Sequence, residues 1–172
     1  MMNAPIYHRV NKWMQKTNRM TYVLGARCSD GVVLIADTKM TVNGGVNNKF
    51  GDKITGELIG VLTGFSGLRD QFEPFRSQLR ELRRSLGDQI TPDTILKSIK
   101  DILRSLYSQY GNRLNLELLV AISRAKLDEK SILYYFHEDG SYQLIDQDYK
   151  AIGAEPYGEI YLKQIWNPEE YG

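Results

Sequence analysis

Residues 21–39 read TYVLGARCSDGVVLIADTK, and this stretch predicts how the domain begins. Two short apolar runs, residues 22–27 and 32–37, stand on either side of a polar segment that contains Asp30 and Gly31. Because an Asp-Gly pair between two apolar runs is a strong turn signal, the stretch predicts a β-hairpin. We therefore expect the domain to open with two antiparallel strands.

Beyond the hairpin, the sequence predicts a loop, two more strands and a turn. Asparagines and glycines crowd residues 43–48, which is typical of a loop. Residues 49–58 and 59–63 are expected to form a second pair of strands. Residues 64–67 begin and end with glycine, which predicts a turn.

Two segments with helical spacing follow. Apolar residues recur every three or four positions between Leu68 and Leu86, which predicts an amphipathic helix with Pro74 near its start. The second helix is predicted to begin at Thr91, because a capping hydroxyl is followed there by a proline and an acid. It is expected to end at Gly111.

The last third of the chain returns to strands. They are predicted over residues 116–123, 131–136, 142–145 and 149–153, with a hairpin turn at residues 138–141, and a final helical stretch from Pro156 to about Trp166. Strands, two helices, strands and a helix in this order predict an α+β fold, with helices layered on antiparallel sheets.

Composition narrows the class of protein. The chain has 172 residues, of which 42% are hydrophobic and 25% charged, as expected for a soluble globular domain. A net charge of +1 gives no reason to expect binding to nucleic acid or to an anionic membrane. The single cysteine, Cys28, excludes an internal disulfide, and His8 and His137 lack the neighbouring ligands of a zinc site.

Residues 1–20 differ from the rest of the chain. They are polar and basic, and they contain no apolar core long enough for a signal peptide or a membrane span. We interpret them as a leader or extension, and residues 21–172 as a single domain.

Two glycine-rich segments match catalytic motifs only in part. Residues 64–67 lack the residue that a nucleophile elbow carries between its serine and its second glycine, and only His137 follows as a candidate base. Residues 45–53 have Asp52 where a phosphate-binding loop has glycine, and no Ser or Thr directly after Lys53. Neither segment supports a function.

The opening hairpin resembles that of proteasome β-type subunits, through residues 21–27 and 29–39. In that family the mature chain starts with a threonine, and an aspartate and a lysine follow at fixed offsets. Asp37 and Lys53 follow Thr21 by 16 and 32 residues and match both offsets. The resemblance weakens after residue 86 and extends to about residue 162.

This resemblance implies the fold of N-terminal-nucleophile hydrolases, an αββα sandwich of two antiparallel sheets flanked by helices. It implies a threonine-type endopeptidase that cleaves peptide bonds through an acyl-enzyme ester on Thr21, without a metal ion or an organic cofactor. The implied partners are identical or related ring subunits, an ATP-driven unfoldase and polypeptide substrates. A cytoplasmic location follows from the same likeness.

The chemistry of these residues agrees with that role. A threonine hydroxyl needs a base within reach, and the free α-amine of an N-terminal Thr21 supplies one with a pKa of roughly 7.7–8.0. Lys53 would place a positive charge beside the hydroxyl, while Asp37 would fix Lys53 and keep it charged. Taken singly, each residue also fits an ordinary structural role.

Three further residues receive a role from the resemblance. Gly64 falls where the family has a glycine whose backbone N–H binds the oxyanion, and a missing side chain allows such close approach. Met40 and Leu62 fall near positions that line the family's primary specificity pocket. They hint at a preference for apolar side chains.

Three features depart from the family pattern. Met20 precedes Thr21 where self-processing members carry glycine, so we weigh the alternative that Met20 is the initiator and an aminopeptidase removes it. Ala154 stands where the family supplies a serine near the nucleophile. The chain stops at Gly172, before the family's later helices and strands, which suggests a partial sequence that aggregates alone or depends on partners.

Two other functions stay open. A non-catalytic ring subunit would share the fold but would have no need of Thr21, Asp37 and Lys53, so their joint presence favours the enzyme. An N-terminal-nucleophile amidohydrolase that acts on a small amide would use the same residues, and the sequence does not separate it from a protease.

Overall fold

The computed structural model describes residues 22–29, 31–37, 39–42, 45–50, 52–87, 91–123 and 131–153, with the backbone alone between residues 39 and 50. In chain order the elements are β1 (Tyr22–Arg27), β2 (Val32–Ala36), β3 (Lys39–Val42), β4 (Gly45–Phe50), β5 (Ile54–Thr55), β6 (Val61–Gly67), α1 (Arg69–Leu86), α2 (Pro92–Tyr110), a 3-10 turn (Gly111–Arg113), β7 (Leu116–Ile122), β8 (Ile132–Phe136), β9 (Tyr142–Leu144) and β10 (Tyr149–Gly153).

The strands form two main sheets and a ribbon. One sheet has the order β10-β1-β2, the other has the order β5-β6-β7-β8-β9, and β3 pairs with β4 alone. Within the part of the chain that the structure describes, every strand pairing is antiparallel. The predicted α+β fold of antiparallel sheets with helices is thereby confirmed.

The five-stranded sheet lies between the three-stranded sheet and the helices. Its face toward β1 and β10 packs through one apolar cluster, formed by Val23, Leu119, Ala121, Leu133, Tyr135, Ile145 and Ile152. Its other face packs on α1 and α2 through a larger cluster that includes Phe65, Phe72, Phe75, Ile99, Leu103, Leu118 and Phe136. The predicted helix from residue 156 lies outside the described residues.

The two helices predicted between residues 68 and 111 are confirmed. The hydroxyl oxygen of Thr91 accepts a hydrogen bond from the Thr94 amide at 3.2 Å, Pro92 starts α2, and Gly111 ends it with a φ of 58°. α1 spans residues 69–86 and contains Pro74 in its second turn. Neither helix is long and apolar enough to cross a membrane.

Two glycine-rich predictions were wrong. Residues 45–50, predicted as loop up to residue 48, form β4 because they pair with β3. Residues 64–67, predicted as a turn, lie inside β6, where each residue pairs with β7. Ser66 thus belongs to a strand of an antiparallel sheet, which is not the parallel-sheet setting of a nucleophile elbow.

The second predicted strand pair is present but shorter and shifted. Its first member is reduced to Ile54–Thr55 and its second runs from Val61 to Gly67. The turn between them ends at Gly60, whose φ of 72° favours glycine. The later strands follow the predicted positions within a residue or two.

Glu57 ties the segment after β5 to α1. Its carboxylate accepts hydrogen bonds from the Thr55 hydroxyl at 3.0 Å, from Arg76, and from Arg80 Nε at 3.0 Å. The hydrogen bond from Arg80 is the main cause that lowers the pKa of Glu57 to about 2, with Arg76 and Thr55 contributing against the effect of burial. This short strand therefore has a polar anchor on the helix.

We expect Glu57→Ala to lower the free energy of unfolding by about 1–3 kcal/mol, because it removes hydrogen bonds to charged groups. The ordinary pKa is 4.5 and the folded one about 2, so this stabilisation is full above pH 4.5 and is lost as the pH falls toward 2. Urea unfolding at pH 7 and near pH 3 measures both effects. Glu73→Ala is the control, since its pair with Arg69 is 43% and 46% exposed and contributes little. Equal losses in both variants would contradict the anchor.

Candidate active site

Asp37 fastens the start of β1 to the end of β2. Its backbone amide donates to the Tyr22 carbonyl oxygen at 3.1 Å, and its Oδ1 accepts from the Tyr22 amide at 2.7 Å. The side chain is 33% exposed, so the carboxylate lies at a surface of the domain. Its position follows from the strand pairing, because Val23 lies opposite Ala36 and Asp37 is the next residue.

Lys53 approaches the same carboxylate from the other sheet. Its carbonyl oxygen accepts from the Phe65 amide at 3.0 Å, which fixes the lysine at the start of β5. Its Nζ donates to Asp37 Oδ1 at 2.7 Å, and its side chain is only 1% exposed. The structure therefore brings together Asp37 and Lys53, two of the residues singled out from the sequence.

Burial and Asp37 shift the pKa of Lys53 in opposite directions. Loss of hydration lowers the pKa of its ammonium group, and this effect outweighs the hydrogen bond and the Coulomb attraction of Asp37, which raise it. From the sequence, the effect of the Asp37 carboxylate was expected to dominate, because the spacing of residues does not reveal how completely Lys53 is buried. A lysine in this setting releases its proton more readily than a surface lysine does.

Gly64 lies in the middle of β6, between β5 and β7. A Cβ atom at this position would lie 2.6 Å from Val23 Cγ1, so glycine is needed for the two sheets to pack. The Phe65 amide points to β5, and successive amides of a strand alternate, so the Gly64 amide points to β7. Its role as an oxyanion donor stays a prediction, which this strand pairing does not favour.

Gly67 is a glycine that the sequence argument did not single out. It ends β6 with a φ of 133°, and a Cβ atom there would lie 1.8 Å from the Asn115 carbonyl oxygen. Alternation along β6 puts its amide on the same edge of the strand as that of Phe65, toward the Lys53 side. Its position between an apolar segment and a predicted helix was the signal in the sequence that could have identified Gly67.

The remaining predicted residues fall elsewhere. Thr21 lies outside the described residues, as do Met20 and Ala154, and of Met40 only the backbone is described, in β3 opposite Lys49. Leu62 is 43% exposed and lines a shallow apolar cleft of about 430 Å³. It precedes the Phe65–Lys53 contact by three residues, about 10 Å of strand, so the structure does not bring it to Lys53.

Within the described ranges, no three His, Cys, Asp or Glu side chains are grouped in a way that could hold a metal ion. The Lys53–Asp37 pair can take part in proton transfer and in charge stabilisation. A buried lysine, a carboxylate that holds it and a nearby backbone amide are suited to both.

Comparisons with known proteins address the fold and the family. A family model described as "Proteasome: Proteasome subunit" matches residues 17–170. Among solved structures, the chain is similar to "Anbu (ancestral beta-subunit) from Yersinia bercovieri", with a TM-score of 0.67 and 18% sequence identity. The aligned region covers 86% of this chain and 66% of that one, slightly less than two thirds of its length. No curated protein matches the chain.

Proposed function

Because this chain belongs to the proteasome subunit family, we propose that it is a threonine-type endopeptidase whose nucleophile is Thr21. The ion pair of Lys53 and Asp37, with the lysine side chain 1% exposed, carries the proposal. The burial of a lysine at this depth costs hydration energy. A salt bridge to Asp37 at the protein surface would form without this cost. Catalysis supplies a reason for that cost.

The pair binds Tyr22, the residue that directly follows the proposed nucleophile. Asp37 Oδ1 accepts hydrogen bonds from Lys53 Nζ and from the Tyr22 amide, each at 2.7 Å. The Tyr22 nitrogen is bonded to the carbonyl carbon of Thr21, so this carboxylate grips the peptide group that joins Thr21 to the domain. We propose that the Thr21 hydroxyl faces the Lys53 ammonium group.

The reaction then proceeds in two halves. The free α-amine of Thr21 takes the hydroxyl proton while Oγ1 bonds to the carbonyl carbon of the substrate. The carbon–nitrogen bond breaks, the leaving amine takes the proton, and an ester on Thr21 remains. Water, deprotonated by the same α-amine, cleaves the ester and restores the hydroxyl. Lys53 stabilises the negative charge that develops on Oγ1 and relays protons.

A backbone amide completes the proposed site. The negative charge on the substrate oxygen needs a fixed donor, and removal of one such donor typically costs about 10²–10³ in rate. The sequence suggested Gly64 for this role. We propose Gly67 instead, because its amide lies on the edge of β6 that faces the Lys53 side, whereas that of Gly64 points to β7.

The setting of this activity is also part of the proposal. We propose that copies of the chain, or of related subunits, assemble into rings that enclose the site, with an ATP-driven unfoldase as a further partner in the cytoplasm. Polypeptides are the proposed substrates. Two alternatives are a structural ring subunit without activity and an amidohydrolase that acts on a small amide. The following experiment distinguishes both from the proposed endopeptidase.

A peptide epoxyketone tests the nucleophile directly, because this probe bonds both to a hydroxyl and to the α-amine of the same residue. Digestion and mass spectrometry of the treated protein should locate the adduct on Thr21 when Thr21 is the first residue. Protein that retains Met20 has no α-amine at this position and is the control, which should stay unmodified. An unmodified Thr21 terminus, or an adduct elsewhere, would contradict the proposal and favour the structural subunit. Adduct formation without cleavage of longer peptides would favour the amidohydrolase.

A further inference from the structure

Gln71 is a buried polar residue in the first turn of α1 that the proposed chemistry does not use. It is 7% exposed, and the other buried residues of α1 are the apolar Phe72, Phe75 and Leu79. Both ends of its carboxamide are occupied by backbone groups of one segment. Nε2 donates to the Arg113 carbonyl oxygen at 2.9 Å, and Oε1 accepts from the Asn115 amide at 2.7 Å.

The segment that Gln71 holds is the one that contacts the end of β6. The Asn115 carbonyl oxygen accepts a hydrogen bond from the Leu68 amide at 3.1 Å. The same oxygen lies so close to Gly67 that a Cβ atom there would be 1.8 Å away. Asn115 is therefore fixed by Gln71 through its amide, and it fixes the Gly67–Leu68 backbone through its carbonyl group.

We propose that Gln71 is a positioning residue, which sets the direction of the Gly67 amide by holding Asn115 against it. The inference rests on the proposed function, in which this amide binds the substrate oxygen. Such a donor is effective only where it is fixed in advance, and a misplacement of about 1 Å can cost about 10²-fold in rate. The close approach of Gly67 and Asn115 leaves the backbone little room to shift while Gln71 holds it.

A glutamine is well suited to this task because its carboxamide carries a donor and an acceptor. Leucine at this position would fill a similar volume but would leave the Arg113 carbonyl group and the Asn115 amide without their partner. Glutamate would keep the acceptor for Asn115 but would lose the donor for Arg113. The two substitutions therefore loosen the contact to different degrees while the helix retains its length and its other side chains.

The experiment compares Gln71→Leu and Gln71→Glu with wild type in the assembled protein, and uses Gln109→Leu on the exposed side of α2 as the control. We expect kcat for a fluorogenic peptide to fall about 10- to 100-fold in Gln71→Leu, and less in Gln71→Glu, while KM changes little. The control should keep both constants. Melting temperatures of all variants identify any loss that is caused by unfolding.

The affinity for two inhibitors distinguishes a positioning role of Gln71 from a purely structural role, which would leave their affinity ratio unchanged. A peptide aldehyde adds to the nucleophile and forms a tetrahedral adduct with an oxyanion, whereas the matching peptide alcohol binds without this bond. The preference for the aldehyde should fall by the same factor as kcat in the two Gln71 variants. Unchanged preference in folded, active Gln71→Leu would overturn the inference and leave the proposed function intact. Absence of activity and of aldehyde binding in wild type would instead overturn the proposed function, and this inference with it.

Discussion

Thr21→Ala is expected to lower the rate of peptide cleavage by about 10⁴- to 10⁶-fold, the scale at which loss of a nucleophile acts in other hydrolases. The substitution removes the oxygen that is proposed to form the ester and leaves the α-amine in place. It lies next to Tyr22, whose amide is held by Asp37 at 2.7 Å, so the start of β1 should keep its pairing. Cleavage of a fluorogenic peptide by protein with a free residue 21 is the measurement.

Thr21→Ser is the matched control for this loss. Serine keeps both a hydroxyl and the α-amine, so measurable turnover and labelling by the epoxyketone should remain. Circular dichroism and melting temperature of all three proteins establish that the fold is unaffected. Equal rates in wild type and Thr21→Ala would leave only the structural ring subunit.

Lys53→Met is expected to lower kcat/KM by about 10²- to 10⁴-fold, because it removes the positive charge beside the developing alkoxide. Methionine is apolar and nearly as long, so the site, where the lysine side chain is 1% exposed, should stay filled. Asp37 remains 33% exposed and solvated. Lys97→Met, on the exposed side of α2, is the control and should keep the wild-type rate. Wild-type kcat/KM in Lys53→Met would remove Lys53 from the mechanism.

Asp37→Asn separates the charge of the carboxylate from its hydrogen bonds. An amide oxygen can still accept from Tyr22 and Lys53, but the attraction that raises the Lys53 pKa against burial is gone. The charged lysine should then be lost at a lower pH, so the basic limb of the pH–rate profile should move down. A profile that does not move in Asp37→Asn would show that the Lys53 ammonium group is not needed for the rate.

Helices and long strands could be predicted from the sequence because their signals are local. The two ends of α2 were predicted to within one residue. The signals were the capping residue Thr91, the proline after it and Gly111, and all three have these roles in the structure. β7 is apolar and buried from Leu118 to Ile122, and the apolar strand β8 pairs with it. Such elements can be predicted from their own residues, without knowledge of their tertiary contacts.

The glycine-rich strands could not be predicted, because their reason lies in distant parts of the chain. Gly64 leaves room for Val23, and Gly67 leaves room for Asn115, residues that are some 40 to 50 positions away in sequence. Local propensity reads such glycines as turn residues, whereas tertiary contacts place them inside β6. The loop prediction over β4 failed for a local reason, because its glycine and asparagines lie in a strand that pairs with β3, the strand directly before it in sequence.

The site was predictable in part. The offsets from Thr21 singled out Asp37 and Lys53, and the two form an ion pair at 2.7 Å. The burial that lowers the Lys53 pKa depends on how two sheets meet, which spacing along the chain does not reveal. Gln71 looked like one more polar residue of an amphipathic helix, since its two partners follow it by more than 40 positions.

The contact between Gly64 and Val23 couples the sizes of the residues that these two positions can accept. With 2.6 Å between a would-be Cβ and Val23 Cγ1, neither site can gain bulk unless the other yields it. A larger residue at position 64 would therefore require a smaller residue at position 23 or a shift of the Val23 side chain. At this point the space between the two sheets is therefore filled by one residue from β1 and one residue from β6 together.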